Sequence, residues 1–234
     1  MQTFLQSFKN SWLGLLFPQI CLHCQKALPE QETLLCATCF AKLQFLDPTS
    51  RCQGCFAPSE EPLCADCSPN TFSASCFAYE EVAKSLIIAY KFGGRPDLAK
   101  GLASFMLLQF VRLSWPLPDL ITFIPQSFLR SKLRGYNQSE LLANELGHLL
   151  GRPVVALLKK PHFTISQTQL EVLERQGLAH DTFILHKAPL LENQELLLID
   201  DVFTTGATID LAAKVLLKAE AKKVYALTFA RAES

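Results

Sequence analysis

Leu196-Leu-Leu-Ile-Asp200-Asp201-Val-Phe-Thr204-Thr205-Gly206-Ala207-Thr208 is the stretch on which the fold turns. An apolar run ends in two carboxylates, a turn rich in Thr and Gly follows, and Ile209–Ala219 has helical character. Read as strand, turn and helix, this places the carboxylates at the carboxyl end of a strand, where open α/β sheets bind ligands. The Thr-Thr-Gly-Ala-Thr segment offers hydroxyls and free backbone N–H groups at a helix N-terminus, an anion site that suits a phosphate monoester. Gly206 lets the backbone come close. Asp200 and Asp201 can accept hydrogen bonds from a sugar diol or hold magnesium through water. An acidic strand end also marks the magnesium strand of P-loop NTPases, but their Gly-x-x-x-x-Gly-Lys-Ser/Thr segment is missing upstream. A receiver domain carries its acidic pair near its first strand, whereas this pair lies close to the C-terminus.

Outward from that stretch, strands and helices alternate. Strands are expected at Ala74–Tyr79, Leu120–Pro125, Val154–Leu157, Leu196–Asp201 and Val224–Ala230. Helices are expected at Val82–Phe92, Leu98–Leu113, Ser139–Leu150 and Ile209–Ala219, with Gly147 a blemish in the third and Gly151 its stop. The alternation predicts an α/β fold built on a mainly parallel sheet with flanking helices. Residues 160–181 are polar and weakly periodic, which suits a hood over the sheet.

The first 70 residues are different in kind. They hold eight of the nine cysteines, as four Cys-x-x-Cys pairs: Cys21/Cys24, Cys36/Cys39, Cys52/Cys55 and Cys64/Cys67. Two residues between thiolates let both face one tetrahedral ion, and four thiolates make a closed structural zinc site. Eight ligands make two sites, so two structural zinc ions are expected in a small N-terminal double zinc ribbon. Sequential and interleaved pairings are both open. A saturated site leaves zinc no open position, so these ions are scaffold for a segment too small to build its own core. His23 reads as a solvent-facing filler within its knuckle, and the unpaired Cys76 as a small buried hydrophobe.

Ser68-Pro69-Asn70 marks the boundary, giving an N-terminal helix and ribbon over residues 1–70 and the α/β domain over 71–234. Lys+Arg and Asp+Glu both total 22, so no global field draws the chain to nucleic acid or anionic lipid. The ribbon segment carries more acid than base, which disfavours direct DNA binding through it; docking of a protein partner suits it better. Phe40, Phe45, Phe56 and Phe72 are base-stacking candidates that a small zinc module also needs as core. The opening residues (Phe4, Leu5, Phe8, Trp12, Leu15, Leu16) read as an amphipathic helix and not as a secretion signal. No segment reaches the ~20 apolar residues of a spanning helix. With paired cysteines and no leader, a cytoplasmic location without membrane insertion is expected.

One basic run stands out. Arg130, Lys132 and Arg134 follow the Leu120–Pro125 strand, and no acidic residue falls between Asp119 and Glu140. It suits a pyrophosphate, as does Lys91, which reads equally well as a surface residue. Weak, salt-sensitive binding of single-stranded DNA would also fall on this run. Asn137 is a candidate helix N-cap.

These stretches together resemble the ComF family, which joins a double zinc ribbon to a type I phosphoribosyltransferase domain. The resemblance rests on Leu15-Leu-Phe-Pro-Gln-Ile-Cys21-Leu-His-Cys24, Tyr90-Lys91-Phe92-Gly93-Gly94, Arg134-Gly135-Tyr136-Asn137-Gln138 and the Asp200–Thr208 loop. Thr164, Gln167 and Arg175 have the spacing of the family's hood. The chain departs at Lys160, where the family has Arg, and at Leu178, where it has Asn; Lys keeps the charge but loses the bidentate fork. The resemblance implies binding of phosphoribosyl pyrophosphate with magnesium. Thr204, Thr205, Gly206, Ala207 and Thr208 would take the 5′-phosphate, Asp200 and Asp201 the ribose as catalytic carboxylates, and Arg130, Arg134 and Lys91 the pyrophosphate. It also implies either glycosyl transfer from that donor to an acceptor or a non-catalytic adaptor, in both cases linked to DNA uptake in natural transformation. Single-stranded DNA and DNA-uptake proteins are the implied partners.

Overall fold

The computed structural model describes residues 19–28, 34–126, 135–160, 183–186 and 191–232. The expected N-terminal helix, the basic run Arg130, Lys132 and Arg134, and the hood residues Thr164, Gln167, Arg175 and Leu178 lie outside these residues.

A four-stranded parallel sheet forms the centre. Its strands are β1 (Thr71–Ala78), β2 (Leu120–Phe123), β5 (Glu195–Phe203) and β6 (Lys223–Arg231), in the order β1-β6-β5-β2. Two short strands, β3 (Leu158–Lys159) and β4 (Ile184–Leu185), pair antiparallel beside it. The helices are α1 (Ala37–Phe40), α2 (Glu81–Phe92), α3 (Leu98–Arg112), α4 (Gln138–Leu150) and α5 (Ala207–Lys218). Among the described residues no helix is long and apolar enough to cross a membrane.

The central strands are apolar on both faces because helices cover both. Leu197, Ile199, Tyr225, Leu227 and Phe229 share one buried cluster with α2, α3 and α4. Their alternates Leu196, Leu198, Val224 and Ala226 share the other with Ile209, Ala212 and Leu216 of α5. The side-chain period of two in a strand produces this division directly.

Three elements differ from expectation. β1 begins at Thr71, because Thr71 and Ser73 join the ladder opposite Val224 and Ala226 although their polarity hides the strand in the sequence. The strand expected at Val154–Leu157 reduces to a single parallel bridge from Val154 to Ile121, after which the chain turns out to form β3. Gly147 is required where α4 meets that bridge, since a Cβ there would lie 2.4 Å from Val154 Cγ2. β5 runs on to Phe203, so Asp200 and Asp201 sit inside the strand instead of at its end.

The cysteine segment is pressed against the free edge of β1. Leu46 N donates to Cys76 O at 2.8 Å and Ser73 N to Gln53 O at 3.0 Å, covering edge groups that would otherwise be open to pairing. Buried Gln109 of α3 donates to both Leu46 O and Ser75 O at 3.0 Å. Phe45 packs on Phe77 with centroids 4.6 Å apart, and Phe56 is 2% exposed. Of the four candidate stacking rings, these two are therefore core, Phe72 stacks on Tyr225, and Phe40 is open. Cys21, Leu35, Cys39 and Phe56 belong to the same cluster as Leu86, Phe110 and Leu227, so one core spans the boundary near residue 70. Cys76 is buried, as expected, and burial pushes its thiol pKa up.

Candidate zinc centres and phosphate-loop site

The cysteines form two groups, Cys21/Cys24/Cys36/Cys39 and Cys52/Cys55/Cys64/Cys67, each with all sulfurs within 4.8 Å of one another. The pairing is therefore sequential. Four sulfurs bound to zinc at about 2.3 Å in a tetrahedron lie about 3.8 Å apart. Cys24–Cys36 is 3.7 Å, Cys52–Cys64 3.6 Å, Cys52–Cys67 and Cys55–Cys64 both 3.8 Å, and Cys64–Cys67 is closer at 3.1 Å. These residues fit zinc, and the protein carries two four-cysteine zinc-ribbon sites.

The two sites are built by one repeated device. Cys21 N donates to Lys26 O and Gln25 N to Cys21 O; Cys52 N donates to Ala57 O and Phe56 N to Cys52 O. Ile20 bridges Ala27, as Arg51 bridges Pro58. Gln25 and Phe56 turn each knuckle in the left-handed region, at φ 60° and 59°. At Cys21, burial works against the thiolate, but N–H groups of Cys24, Cys36 and His23 outweigh it and bring the pKa down to about 6. Cys52 reaches about 6 by the same balance, with N–H groups of Cys55, Cys64 and Gly54.

The third knuckle position separates the two copies. His23 is not a solvent-facing filler: its Nδ1 is 2.9 Å from Ser85 Oγ on α2, tying the first site to the α/β domain. Gly54 faces the opposing knuckle, where a Cβ would lie 2.5 Å from Cys67 Cβ and 2.8 Å from its Sγ. Gly54→Ala is expected to displace Cys67 and lower the zinc content from two per chain towards one, read by elemental analysis. His23→Ala should leave both ions in place.

The second locus lies at the carboxyl end of β5. Adjacent strands β2 and β5 send their following helices to opposite faces: α4 joins the α2/α3 side and α5 the other. Their junction is a topological switch point, where a crevice opens at the carboxyl edge of a parallel sheet. β2 pairs with β5 only as far as Ile199, leaving Asp200 at the mouth. Ser139 Oγ, in the first turn of α4, donates to Asp200 Oδ1 at 2.8 Å, and Asp201 N donates to the same oxygen at 2.9 Å. Asp201 is 8% exposed and pairs with Lys91 Nζ at 2.7 Å. Lys91, which read as a pyrophosphate contact or a surface residue, is here a half-buried partner of that carboxylate.

Beyond Phe203 the loop turns at Thr204 and Thr205, both exposed, and enters α5 through Gly206 at φ 85°. A Cβ on Gly206 would meet the Phe203 ring at 2.8 Å, so space and dihedral both demand glycine. The N–H groups of the first turn of α5 then face the crevice end of the sheet. Behind the carboxylates, Tyr90 OH donates to Gln138 O at 2.8 Å and Tyr136 OH to Tyr90 O at 2.7 Å. Asn137 is the N-cap of α4, accepting from Ser139 N at 3.2 Å, and its Nδ2 donates to Ile124 O at 3.1 Å. Sequence reasoning missed Ser139, Tyr90 and Tyr136. The available signal was a hydroxyl directly after the Arg134–Gln138 stretch, at the start of a helix that follows a strand.

Desolvation, then the neighbouring Asp201 carboxylate, push Asp200 up to about 7, against the opposing pull of Ser139, Asp201 N–H and Lys91. The folded protein thus keeps a proton that the unfolded chain releases near the ordinary value of 3.8. Between those values the folded state binds more protons, so this group makes stability fall as pH rises through the window. Asp200→Asn can keep both accepted hydrogen bonds and removes that charge. The variant is expected to be more stable than the parent at pH 8, by on the order of a few kcal/mol, with a smaller gap at pH 5.5. Denaturant titrations at the two pH values check it.

A family model described as a double zinc ribbon domain matches residues 12–75. The chain is 29% identical over 213 residues to the DNA utilization protein YhgH of Salmonella typhi, covering 86% of this chain and 92% of that one. It is likewise 29% identical over 210 residues to competence protein ComFC of Streptococcus pneumoniae, covering 87% and 90%. Among solved structures, glutamine phosphoribosylpyrophosphate amidotransferase of Bacillus subtilis, complexed with ADP and GMP, aligns at 20% identity and a TM-score of 0.42. That alignment covers 60% of this chain and 30% of that chain.

Proposed function

Because the chain is a homologue of the ComFC and YhgH proteins over most of its length, we propose that it serves DNA uptake and use as a phosphoribosyl pyrophosphate-binding protein. One observation carries the reading: a carboxylate pair and a Thr-Gly loop entering a helix meet at the switch point of a parallel sheet. The ligand has a 5′-phosphate, a diol and a pyrophosphate at C1. Thr204, Thr205, Gly206, Ala207 and Thr208 would donate to the 5′-phosphate through hydroxyls and first-turn N–H groups. Asp200 and Asp201 would accept from the ribose hydroxyls. Lys91, already within 2.7 Å of Asp201, supplies a cation at the same mouth and would exchange that carboxylate for the pyrophosphate. Arg130 and Arg134 would complete the pyrophosphate subsite.

Two adjacent carboxylates suit a hard, oxygen-seeking cation, so Asp200 and Asp201 would hold magnesium through water. Bound there, magnesium would neutralise charge on the pyrophosphate. The residues' own contribution is binding and orientation of the ribose between the carboxylates and the loop. If an acceptor enters, its nucleophile displaces pyrophosphate from C1. The groups that bind the leaving pyrophosphate then stabilise the charge it gains.

Calorimetry with phosphoribosyl pyrophosphate, ribose 5-phosphate and pyrophosphate, each with magnesium, tests the reading. The whole ligand is expected to bind more tightly than either part. No binding of any of the three would overturn the site. Binding without pyrophosphate release across a panel of acceptors would assign the protein as an adaptor and not a transferase.

A further inference from the structure

A second cavity lies beneath the C-terminal end of α3, towards the amino ends of β1 and β6, away from the Asp200 crevice. Its volume is about 530 Å³, within the range that holds a small organic ligand. Arg51, Arg112 and Lys223 line it together with Phe72, Trp115 and Tyr225, and among the described residues no Asp or Glu lines it. The cations come from the residue before Cys52, from α3 and from β6, so the tertiary fold alone assembles them.

The rings form a tilted stack. Phe72 and Tyr225 are register partners on neighbouring strands, with centroids 5.1 Å apart and planes at 18°. Trp115 follows at 5.1 Å and 47° from Tyr225. Tyr225 is buried behind Trp115, which also meets Phe110 edge-on at 6.3 Å and keeps part of its surface open. Two of the cations, Lys223 and Arg112, rest on neutral groups. Lys223 Nζ is 5.4 Å from the Phe72 centroid, and Arg51 donates to Phe56 O at 3.0 Å. Arg112 donates to Gln109 Oε1 at 3.2 Å and lies over the Phe45 ring. Among the described residues, Asp47 feels Arg112, and its carboxylate is already engaged by Thr49 N and Oγ1 at 3.0 Å.

The geometry points to a nucleotide-unit site, with the base on Trp115 and the phosphate on Arg112 and Lys223. Aromatic surface and cations lining one cavity match a ligand that is itself a flat ring joined to a phosphate. Stacking on an aromatic side chain tolerates any base, because every base has a π-face. The phosphate gains charge-assisted hydrogen bonds from the guanidinium and the ammonium. A free nucleotide and one nucleotide of a single strand share this chemistry. The site is independent of the phosphoribosyl reading, and its residues take no part in it.

Full-length, zinc-loaded protein is titrated calorimetrically with 2′-deoxyadenosine 5′-monophosphate, with adenosine and with a five-residue deoxyadenylate strand. The monophosphate is expected to bind, and adenosine to bind at least about tenfold more weakly. Trp115→Ala and the pair Arg112→Gln, Lys223→Gln are each expected to weaken the monophosphate at least about tenfold. Trp115→Phe should restore most of the binding, and Asp200→Ala should leave it unchanged. Comparable affinity for strand and monophosphate assigns free nucleotide as the source; tighter binding of the strand assigns single-stranded DNA. Zinc content reports folding, and if Trp115→Ala loses zinc the arginine–lysine pair decides. The site is overturned if neither monophosphate nor strand binds, if binding survives in the Arg112→Gln, Lys223→Gln protein, or if Asp200→Ala abolishes it.

Discussion

Stripping zinc from this protein is expected to unfold the whole chain in one transition, not only its first 70 residues. Structural zinc in small modules supplies roughly 10–16 kcal/mol at neutral pH, comparable to or larger than the roughly 5–15 kcal/mol that keeps an ordinary domain folded. Considered by sequence region, loss of Cys21 would spare the part beyond residue 75. The packing argues otherwise. Phe45 covers Phe77, Phe56 is 2% exposed, and Cys21, Leu35 and Cys39 sit in the cluster that α2, α3 and the sheet also fill. Without the knuckles, that surface and the free edge of β1 would face water. Apolar burial is worth about 25 cal/mol per Å², and the newly open edge is a template for aggregation. Thermal melts followed by circular dichroism, with and without a strong chelator, and a Cys52→Ser variant are the measurements. A chelated protein that keeps an unchanged high-temperature transition would show that the two parts fold separately.

Asp200→Ala is expected to weaken phosphoribosyl pyrophosphate by about one to two orders of magnitude, since a hydrogen bond to a charged group is worth roughly 1.5–3 kcal/mol. The Asp200→Ala, Asp201→Ala double variant should lose more, because in the proposed site Asp201 would share the ligand, and it also holds Lys91 at 2.7 Å. Loss of Asp201 frees that ammonium, so the pyrophosphate end is expected to suffer less than the ribose end. Comparing pyrophosphate with ribose 5-phosphate in each variant separates the two. Asp200→Asn guards against a trivial explanation. It should match Asp200→Ala in ligand loss while gaining stability at pH 8, because burial and Asp201 already push the native carboxyl up to about 7. Normal affinity in the double variant would falsify the assignment of this crevice.

Much of this was legible in the sequence, for a physical reason that particular residues make plain. Chemistry that depends on near neighbours is fixed by covalent spacing. Cys-x-x-Cys allows two thiolates one ion whatever the rest does, and Asp200 to Thr208 carries carboxylates, hydroxyls and a helix start in one short piece of chain. The alternation of strand-like and helix-like segments likewise set a mainly parallel sheet with flanking helices. The sequence also placed Asn137 as an N-cap and Cys76 in the core. Polar residues that join a ladder, such as Thr71 and Ser73, blurred the strand ends, since their hydrogen bonds depend on a partner strand far along the chain.

The tertiary structure decided everything that requires distant residues to meet. Which cysteine pairs share an ion, the bond from His23 to Ser85, the pairing of Lys91 with Asp201 and the approach of Ser139 to Asp200 are of this kind. So is the cavity that Arg51, Arg112, Lys223 and Trp115 line together. None of these has a local signature, because each is the by-product of burying apolar faces elsewhere. The ribbon lies on β1 because that strand's edge and the Phe77 surface need cover. Local spacing therefore determined which ligand-capable groups this protein carries, and packing between distant segments determined which of those groups face one another.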